Sequence, residues 1–160
     1  MQLLTKESDY AIRALICIAS SSGRASTAAT IAREEDISWM FLRRLLQRLA
    51  VVGILTSQKG RSGGFSLSRP PDKITLVDVI TAFQGRIELS ECLVRGKPCC
   101  RRRTCPVRRR LRALERTLRS ELAKIDIAML ADVREREVGS QRTEGSPAEV
   151  ECDEAIHPNA

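Results

Sequence analysis

Aromatic side chains are scarce in this 160-residue chain, where they make up 3% of the residues. A core with so few large rings must be aliphatic, which favours small packed helices over a large β-sandwich. Histidine occurs once, and the sequence has no nucleotide-binding fingerprint, no Walker loop and no paired catalytic residues. We therefore expect a protein that is not an enzyme and has no small-molecule substrate.

Secretory and membrane signals are also missing. The N-terminus, MQLLTKESD, reaches charged residues too early for a secretory signal, and no apolar run approaches membrane-spanning length. The expected location is the cytoplasm, without membrane contact. In that reducing compartment, six cysteines favour metal or redox chemistry over a disulfide framework.

Positive charge is concentrated in the first 131 residues, which hold 24 basic and 12 acidic side chains. Residues 132–160 hold three basic and eight acidic side chains. A body this basic predicts a polyanionic partner, and nucleic acid is the commonest one. The polar, acidic tail over 136–160 is expected to be disordered.

The first half of the chain has the pattern of a helix-turn-helix. Helices are predicted over 6–20, 27–35 and 39–52, and the third helix is basic on its solvent side. A short helix, a tight turn and a longer basic helix are typical of DNA-binding proteins, although any three-helix bundle can have this pattern. Trp39 could be a core anchor as an alternative to contacting DNA. The residues expected to enter the major groove are Ser38, Trp39, Met40, Arg43, Arg44 and Gln47.

A small β-hairpin is predicted directly after the third helix. Strands over 54–58 and 65–68 flank the glycine-rich tip KGRSGG, which carries Lys59 and Arg61. A basic hairpin in this place predicts a wing that contacts the DNA backbone or the minor groove. The alternative is a solvated turn.

Four of the six cysteines lie in the loop CLVRGKPCCRRRTC. Six residues separate Cys92 from Cys99, five separate Cys99 from Cys105, and Cys100 adjoins Cys99. Several thiolates in one loop can hold a metal ion or an iron–sulfur cluster, and the surrounding arginines would offset their negative charge. Zinc is the second choice because the loop has no C-x-x-C pair. The segment could also be a bare thiol switch, or a solvated basic loop whose cysteines are incidental.

One long helix is predicted over 106–135, beginning at Pro106. Its apolar stripe exceeds twenty residues, and a helix this long in a small protein needs a partner, which we expect to be the same helix of a second copy. Packing against its own domain is the alternative. The expected dimer contacts are Leu111, Leu114, Leu118, Leu122, Ile125 and Met129.

The predicted fold is mainly α with a small β-hairpin wing, and it consists of four parts. A winged helix-turn-helix domain over 1–85 and a cysteine-rich loop over 86–105 precede the dimerisation helix over 106–135 and the tail over 136–160. Electron transfer by an iron–sulfur protein is the alternative to a DNA-binding function.

Five features of the chain match one known family in their order: LTKESDYAIRALICIA, DISWMFLRRLLQRLAVVGILTSQKGRSGGFSLSR, ITLVDVITAFQG, the cysteines and the long helix. Together they resemble the IscR/NsrR-type (Rrf-two) family of winged-helix iron–sulfur transcription regulators. The resemblance covers residues 2 to about 133. It implies a homodimer that binds a palindromic operator in double-stranded DNA, and we expect a repressor. Many members carry a 2Fe–2S or 4Fe–4S cluster that senses redox state, nitric oxide or iron–sulfur status, whereas others have no cluster.

The resemblance also implies a set of cluster ligands. In IscR-like members the fourth ligand is a histidine three residues after the last cysteine, where this chain has Arg108. In NsrR-like members an acidic residue of the other subunit takes the role, and Asp9 holds that position here. Cys100 competes with Asp9, which could instead be a charge favoured by the helix dipole. IscR-like proteins have a glutamate in place of Arg43, so we expect a different operator. The three cysteines that match the family's cluster ligands are Cys92, Cys99 and Cys105.

Overall fold

The structure is a computed structural model that describes residues 4–21, 25–58, 60, 63–89, 93–94, 97–99, 101 and 103–141. Within these ranges it contains six α-helices, one short 3-10 helix (Pro71–Lys73) and two small two-stranded antiparallel sheets. The predicted fold class, mainly α with a hairpin wing, is confirmed. The helices are α1 (Lys6–Ser20), α2 (Ala28–Glu34), α3 (Trp39–Val51), α4 (Leu76–Gln84), α5 (Pro106–Leu122) and α6 (Ile127–Gln141). The strands are β1 (Leu55–Gln58), β2 (Gly64–Leu67), β3 (Leu93–Val94) and β4 (Lys97–Pro98).

Helix α1 forms the centre of the core because apolar side chains cover most of its circumference. Ala11, Ala14 and Leu15 are fully buried. The helix packs mainly against α3, α4 and α6, and it also contacts α2. None of the helices in the described ranges is both long enough and apolar enough to cross a membrane.

Helices α2 and α3 form the predicted helix-turn-helix. The Thr27 hydroxyl accepts a hydrogen bond from the Thr30 amide at 3.1 Å and so caps the start of α2. In the turn, Asp36 has a φ of 49°, a left-handed conformation that Asp tolerates better than most residues. One face of α3 is buried in the core through Leu42, Leu45, Leu46 and Leu49.

Strands β1 and β2 form an antiparallel hairpin with Leu55 paired to Leu67 and Gln58 paired to Gly64. The hairpin is tied to the helix-turn-helix by a β-bridge, in which the Ser26 and Phe65 amides each donate to the other residue's carbonyl, at 3.0 and 2.9 Å. A Cβ at Gly64 would lie only 2.7 Å from the Ser26 carbonyl oxygen, so this approach requires glycine.

The structure has two helices where the sequence predicts one over 106–135. Helix α5 ends at Leu122, and α6 begins at Ile127. Between them the chain pairs with the segment before α4, because Leu76 N–H donates to the Ile125 carbonyl and Ile127 N–H donates to the Ile74 carbonyl, both at 2.9 Å. The apolar spacing continues across the break, but α6 packs against α1 of the same chain and has Ile127 and Ala131 buried, whereas Met129 is 50% exposed.

Helix α5 contacts the rest of the chain mainly at its C-terminal end. There Leu122 packs with Val77 and Ile80 of α4 in a second, smaller core, which Leu118 and Ile87 border. Val107 and Leu114, nearer the start of α5, are 64% and 57% exposed. Much of the helix therefore presents apolar side chains that the described part of the chain leaves uncovered.

Candidate DNA-binding surface and cysteine loop

The predicted DNA-contacting residues of the third helix lie on one surface. Ser38 immediately precedes α3, and the other five lie on its first three turns. Trp39 is 46% exposed and Met40 76% exposed, so Trp39 is not a core anchor. The six exposed residues are Ser38, Trp39, Met40, Arg43, Arg44 and Gln47.

An arginine at the edge of this surface, one turn after Arg44, helps to fix the position of α3. The Arg48 guanidinium donates to the Ala82 carbonyl at 2.9 Å and to the Phe83 carbonyl at 3.4 Å, and it lies 5.1 Å from the Phe83 ring centroid. These carbonyls are near the C-terminus of α4, where a cation is favoured by the helix dipole. Arg48 therefore joins α3 to α4, a contact that sequence reasoning missed because the residues are 34 apart.

The hairpin has the position expected of a wing, directly after α3. Its Lys59 and Arg61, predicted to contact DNA, lie outside the described residues. Gly63 N–H donates to the Gly60 carbonyl at 2.9 Å and closes the tip. The wing is tied to the helix-turn-helix by the backbone hydrogen bonds between Phe65 of β2 and Ser26, just before α2.

Two of the predicted metal ligands, Cys99 and Cys105, are described, and both are half-buried free thiols. Cys99 follows β4, whereas Cys105 is the N-cap residue of α5, where its Sγ accepts a hydrogen bond from the Arg108 amide at 3.5 Å. Cys92 and the competing ligand Cys100 lie outside the described residues. Among the residues that are described, no three His, Cys, Asp or Glu side chains come together as a metal site.

Asp9, the fourth predicted ligand, lies in the first turn of α1 with 46% of its side chain exposed. Its Oδ2 pairs with Arg13 Nε at 3.2 Å, one turn along the same helix. The carboxylate is therefore accessible to solvent and already held by one cation.

The start of the cysteine loop is tied to α5 by a contact that the sequence did not indicate. Leu89 N–H donates to Glu115 Oε1 at 2.8 Å. Glu115 is half-buried on α5, so its carboxylate fixes the chain three residues before Cys92. No local pattern marks this pair, because its members are 26 positions apart in the sequence.

A fifth cysteine, Cys17, is buried in α1. Its thiol donates to Glu34 Oε2 at 2.9 Å. Burial, and after it the hydrogen bond and charge of Glu34, raises the pKa of the Cys17 thiol to about 12. The thiol is therefore protonated at neutral pH and serves as part of the core.

The predicted dimer contacts divide into two groups. Leu122 is 9% exposed against α4 of its own chain, and Ile125 is half-buried in the joint before α6. Leu114 and Met129 are 57% and 50% exposed, and Leu111 and Leu118 are half-buried. The exposed members are the ones available to a second copy.

A helix-turn-helix with an exposed basic third helix, followed by a hairpin wing on the same support, defines a winged-helix DNA-binding protein. The sequence profile of the Rrf2 family, described as an iron-dependent transcriptional regulator, matches residues 4–133. This chain belongs to the Rrf2 family of transcription regulators, in agreement with the resemblance seen in the sequence and with the expectation that it is not an enzyme.

The relatives found by sequence include the HTH-type transcriptional regulator NsrR of Shouchella clausii. It is 30% identical over 98 residues, which cover 61% of this chain and 66% of that protein. Matches to three curated relatives span 63%, 62% and 66% of their lengths, just under two thirds.

Two solved structures share the fold. CymR, the global cysteine regulator of B. subtilis, has a TM-score of 0.65 at 23% identity, and the match covers 83% of this chain and 98% of CymR. IscR of T. potens has a TM-score of 0.63 at 16% identity, and the match covers 90% of this chain and 92% of IscR. At these identities the likeness is evidence for the fold alone.

Proposed function

We propose that this transcription regulator is a cytoplasmic homodimeric repressor. An iron–sulfur cluster on its cysteine loop would control its affinity for a palindromic operator. The observation that carries the proposal is the position of Cys105. This half-buried thiol is the N-cap of α5, the helix with an uncovered apolar face. A ligand at this residue would act directly on the start of the proposed dimer helix.

The DNA contact in this proposal has two parts. The first turns of α3 would enter the major groove, since they expose basic and hydrogen-bonding side chains at the N-terminal part of a helix that follows a helix-turn-helix turn. The wing, with Lys59 and Arg61 at its tip, would contact phosphate or the minor groove.

The dimer in this proposal forms through α5. Val107, Leu111, Leu114 and Leu118 recur at spacings of three and four, so they share one face. Val107 and Leu114 are more than half exposed, and covering them in a second copy removes apolar surface from water. A two-fold dimer would set two α3 helices at a fixed distance, as a palindromic operator requires.

The donor set fits an iron–sulfur cluster by its chemistry. Cys99 and Cys105 are unpaired and partly accessible, and Cys92 has the spacing of a third thiolate. Asp9 of the partner subunit or Cys100 would complete the set. Such a cluster, 2Fe–2S or 4Fe–4S, supplies a centre that reacts with oxidants or nitric oxide.

The chain's own contacts suggest how the loop affects the DNA-binding part. Glu115 holds Leu89 at one end of the cysteine loop, and Cys105 begins α5 at the other end. A change in loop conformation would therefore move α5 relative to α4, and α4 is joined to α3 through Arg48. A small change in the separation of two α3 helices lowers affinity for an operator with fixed half-site spacing.

Anaerobic purification tests the cluster. The protein should be brown, with visible absorption and bound iron and sulfide, and Cys92→Ala should abolish the colour. Cys152→Ala, in the tail, is the matched control and should keep it. A colourless wild type with one zinc ion per chain would contradict the cluster proposal.

Salt dependence tests the DNA contact independently of the cluster. Affinity for a duplex should fall steeply as salt rises, because Lys and Arg side chains displace counterions from phosphate. Binding that does not change between about 50 and 200 mM salt would contradict the repressor proposal.

A cluster-free thiol switch is the second candidate. It is favoured by the two free, half-buried thiols of Cys99 and Cys105. In that case the protein would be colourless, would lose DNA binding on mild oxidation and would regain it with a reductant.

A further inference from the structure

The three arginines of α3 have different environments, and this divides their roles. The guanidinium of Arg48 is bound to the Ala82 and Phe83 carbonyls at the end of α4. Its Nε and Nη2 donors are therefore used within the chain, and moving them would break this link between α3 and α4. Arg48 is a structural residue that lies next to the DNA-binding surface.

Arg44 is partly committed as well. Its guanidinium lies 5.3 Å from the Phe41 ring centroid, and its Nη2 is 3.9 Å from Glu7 Oε1 on α1. The carboxylate offsets part of its charge and draws the side chain toward α1. Arg44 can contact a phosphate at the edge of the groove, but the Glu7 carboxylate lies near its guanidinium.

Arg43 is held differently. Its guanidinium lies 5.3 Å from the Trp39 ring centroid, one helical turn earlier on the same side of α3. Both side chains are exposed, and among the described residues no carboxylate forms an ion pair with Arg43. The guanidinium is thus positioned by a ring, and no acidic group in the described ranges pairs with it.

A ring contact positions the guanidinium in a way that suits base recognition. An indole face attracts the cation and limits the conformations of a long flexible side chain. Stacking uses the face of the planar guanidinium and leaves the N–H groups at its edge free to donate. Two parallel N–H donors match the O6 and N7 acceptors of guanine in the major groove.

We propose that Trp39 and Arg43 form one reading unit that selects a guanine in each half-site of the operator. Trp39 positions the guanidinium, Arg43 makes the two hydrogen bonds, and Arg44 adds a contact that does not depend on sequence. This inference rests on the proposed role of α3 as the helix that enters the major groove.

Selection from a library of random duplexes tests the reading unit. Full-length wild type should enrich a two-fold symmetric site with a guanine at one symmetric position. With Arg43→Ala that position should accept other bases, with a loss of at least about tenfold in discrimination, while the other positions stay unchanged. Arg43→Lys keeps the charge and should lose discrimination without changing the salt dependence of non-specific binding.

Further variants separate positioning from charge. Trp39→Leu keeps every cation and should relax the same base position as Arg43→Ala. Arg44→Ala should weaken binding to all duplexes by a similar factor and keep the selected site. Arg119→Ala, on the exposed surface of α5, removes one charge outside α3 and should keep both the site and its guanine preference. Circular dichroism would check that each variant folds.

Two outcomes would overturn the inference in distinguishable ways. If Arg43→Ala or Trp39→Leu folds and selects the same site with the same guanine preference, the reading unit is wrong and DNA binding by α3 stands. If folded wild type enriches no sequence and its affinity does not depend on salt, the proposed function fails, and the reading unit fails with it.

Discussion

At the scale of single residues, the starts of the helices are fixed by short polar side chains. Thr5, Thr27 and Thr75 cap α1, α2 and α4, each accepting a hydrogen bond from an amide three residues later. Helix α5 has Cys105 in this position. A thiol is a weaker acceptor than a hydroxyl, so cysteine at this cap is better explained by a second role.

Substitutions of Cys105 should separate its capping role from its ligand role. Cys105→Ser supplies a good cap, and its free energy of unfolding should exceed that of Cys105→Ala by about 1 kcal/mol. Both variants should lose the visible absorption of the anaerobic protein, because neither provides a thiolate. Urea unfolding of the colourless apo forms measures the first effect. Equal stability of the two variants would contradict the capping role.

Cys17 should make stability depend on pH in the alkaline range. The folded pKa of about 12 lies above the ordinary value of 9.0, so the unfolded chain loses this proton first. The stabilisation of the folded state by the protonated Cys17 thiol is therefore complete below pH 9.0 and decreases as pH rises toward 12. Between pH 7 and 10, wild type should lose roughly 1 kcal/mol more unfolding free energy than Cys17→Ser, whose hydroxyl does not titrate there.

Chemical denaturation at the two pH values measures this difference. Every other titrating group is common to wild type and Cys17→Ser, so their effects cancel. An identical pH dependence of the two proteins would show that the Cys17 thiol titrates in the folded state as it does in the unfolded chain.

At the scale of helices and strands, α6 contacts both α1 and the end of α2, and so connects the C-terminal helices with the helix-turn-helix. It packs along α1, and Arg134 forms an ion pair with Glu35, the C-cap residue of α2. Glu35 immediately precedes Asp36, the left-handed residue of the helix-turn-helix turn. The helix after the proposed dimer helix therefore touches the DNA-binding part next to the turn that leads into α3.

Removing Arg134 alone should cost more free energy of unfolding than removing both partners of the Arg134–Glu35 pair. The Glu35 side chain is only 9% exposed, so Arg134→Ala leaves an almost buried carboxylate without its cation. The Arg134 side chain is 37% exposed, so Glu35→Ala leaves a cation that water can solvate. Arg134→Ala should lower the free energy of unfolding by about 1 kcal/mol more than the double variant does.

A double-mutant cycle by urea unfolding measures this coupling. The Lys124–Glu121 pair is the matched control, since both side chains are at least 60% exposed, and its coupling should be a few tenths of a kcal/mol, roughly. Coupling of the Arg134–Glu35 pair no larger than that of the control would contradict the role of α6 as a tie.

The elements were predictable where their signals are local. Helices α1 to α3 and the wing strands begin and end within about one residue of the predicted bounds, because polar caps, glycines and apolar periodicity mark them. The break between α5 and α6 was missed because the apolar spacing of three or four residues continues through it. Asp126, whose Oδ1 accepts from the Met129 amide at 2.8 Å, was the one local signal of a new helix start.

The site was predictable in part for the same reason. The exposed face of α3 follows from the spacing of its leucines. The contacts of Arg48, Glu115 and Arg134 join residues 26 to 99 positions apart, so no spacing rule indicates them. The short β3–β4 pair within the cysteine loop also went unpredicted, since two-residue strands leave no alternation to recognise.

At the scale of the whole molecule, the proposed DNA contact depends on positive charge and the proposed dimer contact depends on apolar surface. The basic first 131 residues carry the proposed DNA contacts, and the α5 face carries the proposed dimer contact. A dimer that brings two basic bodies together incurs repulsion, which nucleic acid relieves. The dimer should therefore tighten when a duplex is bound.

Leu114→Asp should weaken the proposed dimer and leave the fold intact, because the side chain is 57% exposed. Two charged residues would replace two leucines at the interface, so the dissociation constant should rise at least about 100-fold. Sedimentation over a range of concentrations measures the change. Val51→Asp, at an 87% exposed position on α3, is the control and should leave the dimer unchanged. A Leu114→Asp protein that still sediments as a dimer would exclude the α5 face.

The joint at 123–126 has a consequence for how the chain acquires its structure during synthesis. Helix α1 is synthesised before α6, which packs against one of its flanks and has Ile127 and Ala131 buried. The winged helix-turn-helix part therefore packs against a helix outside residues 1–85, and translation must pass about residue 131 before that contact can form. A nascent chain arrested earlier would keep that flank open to chaperones.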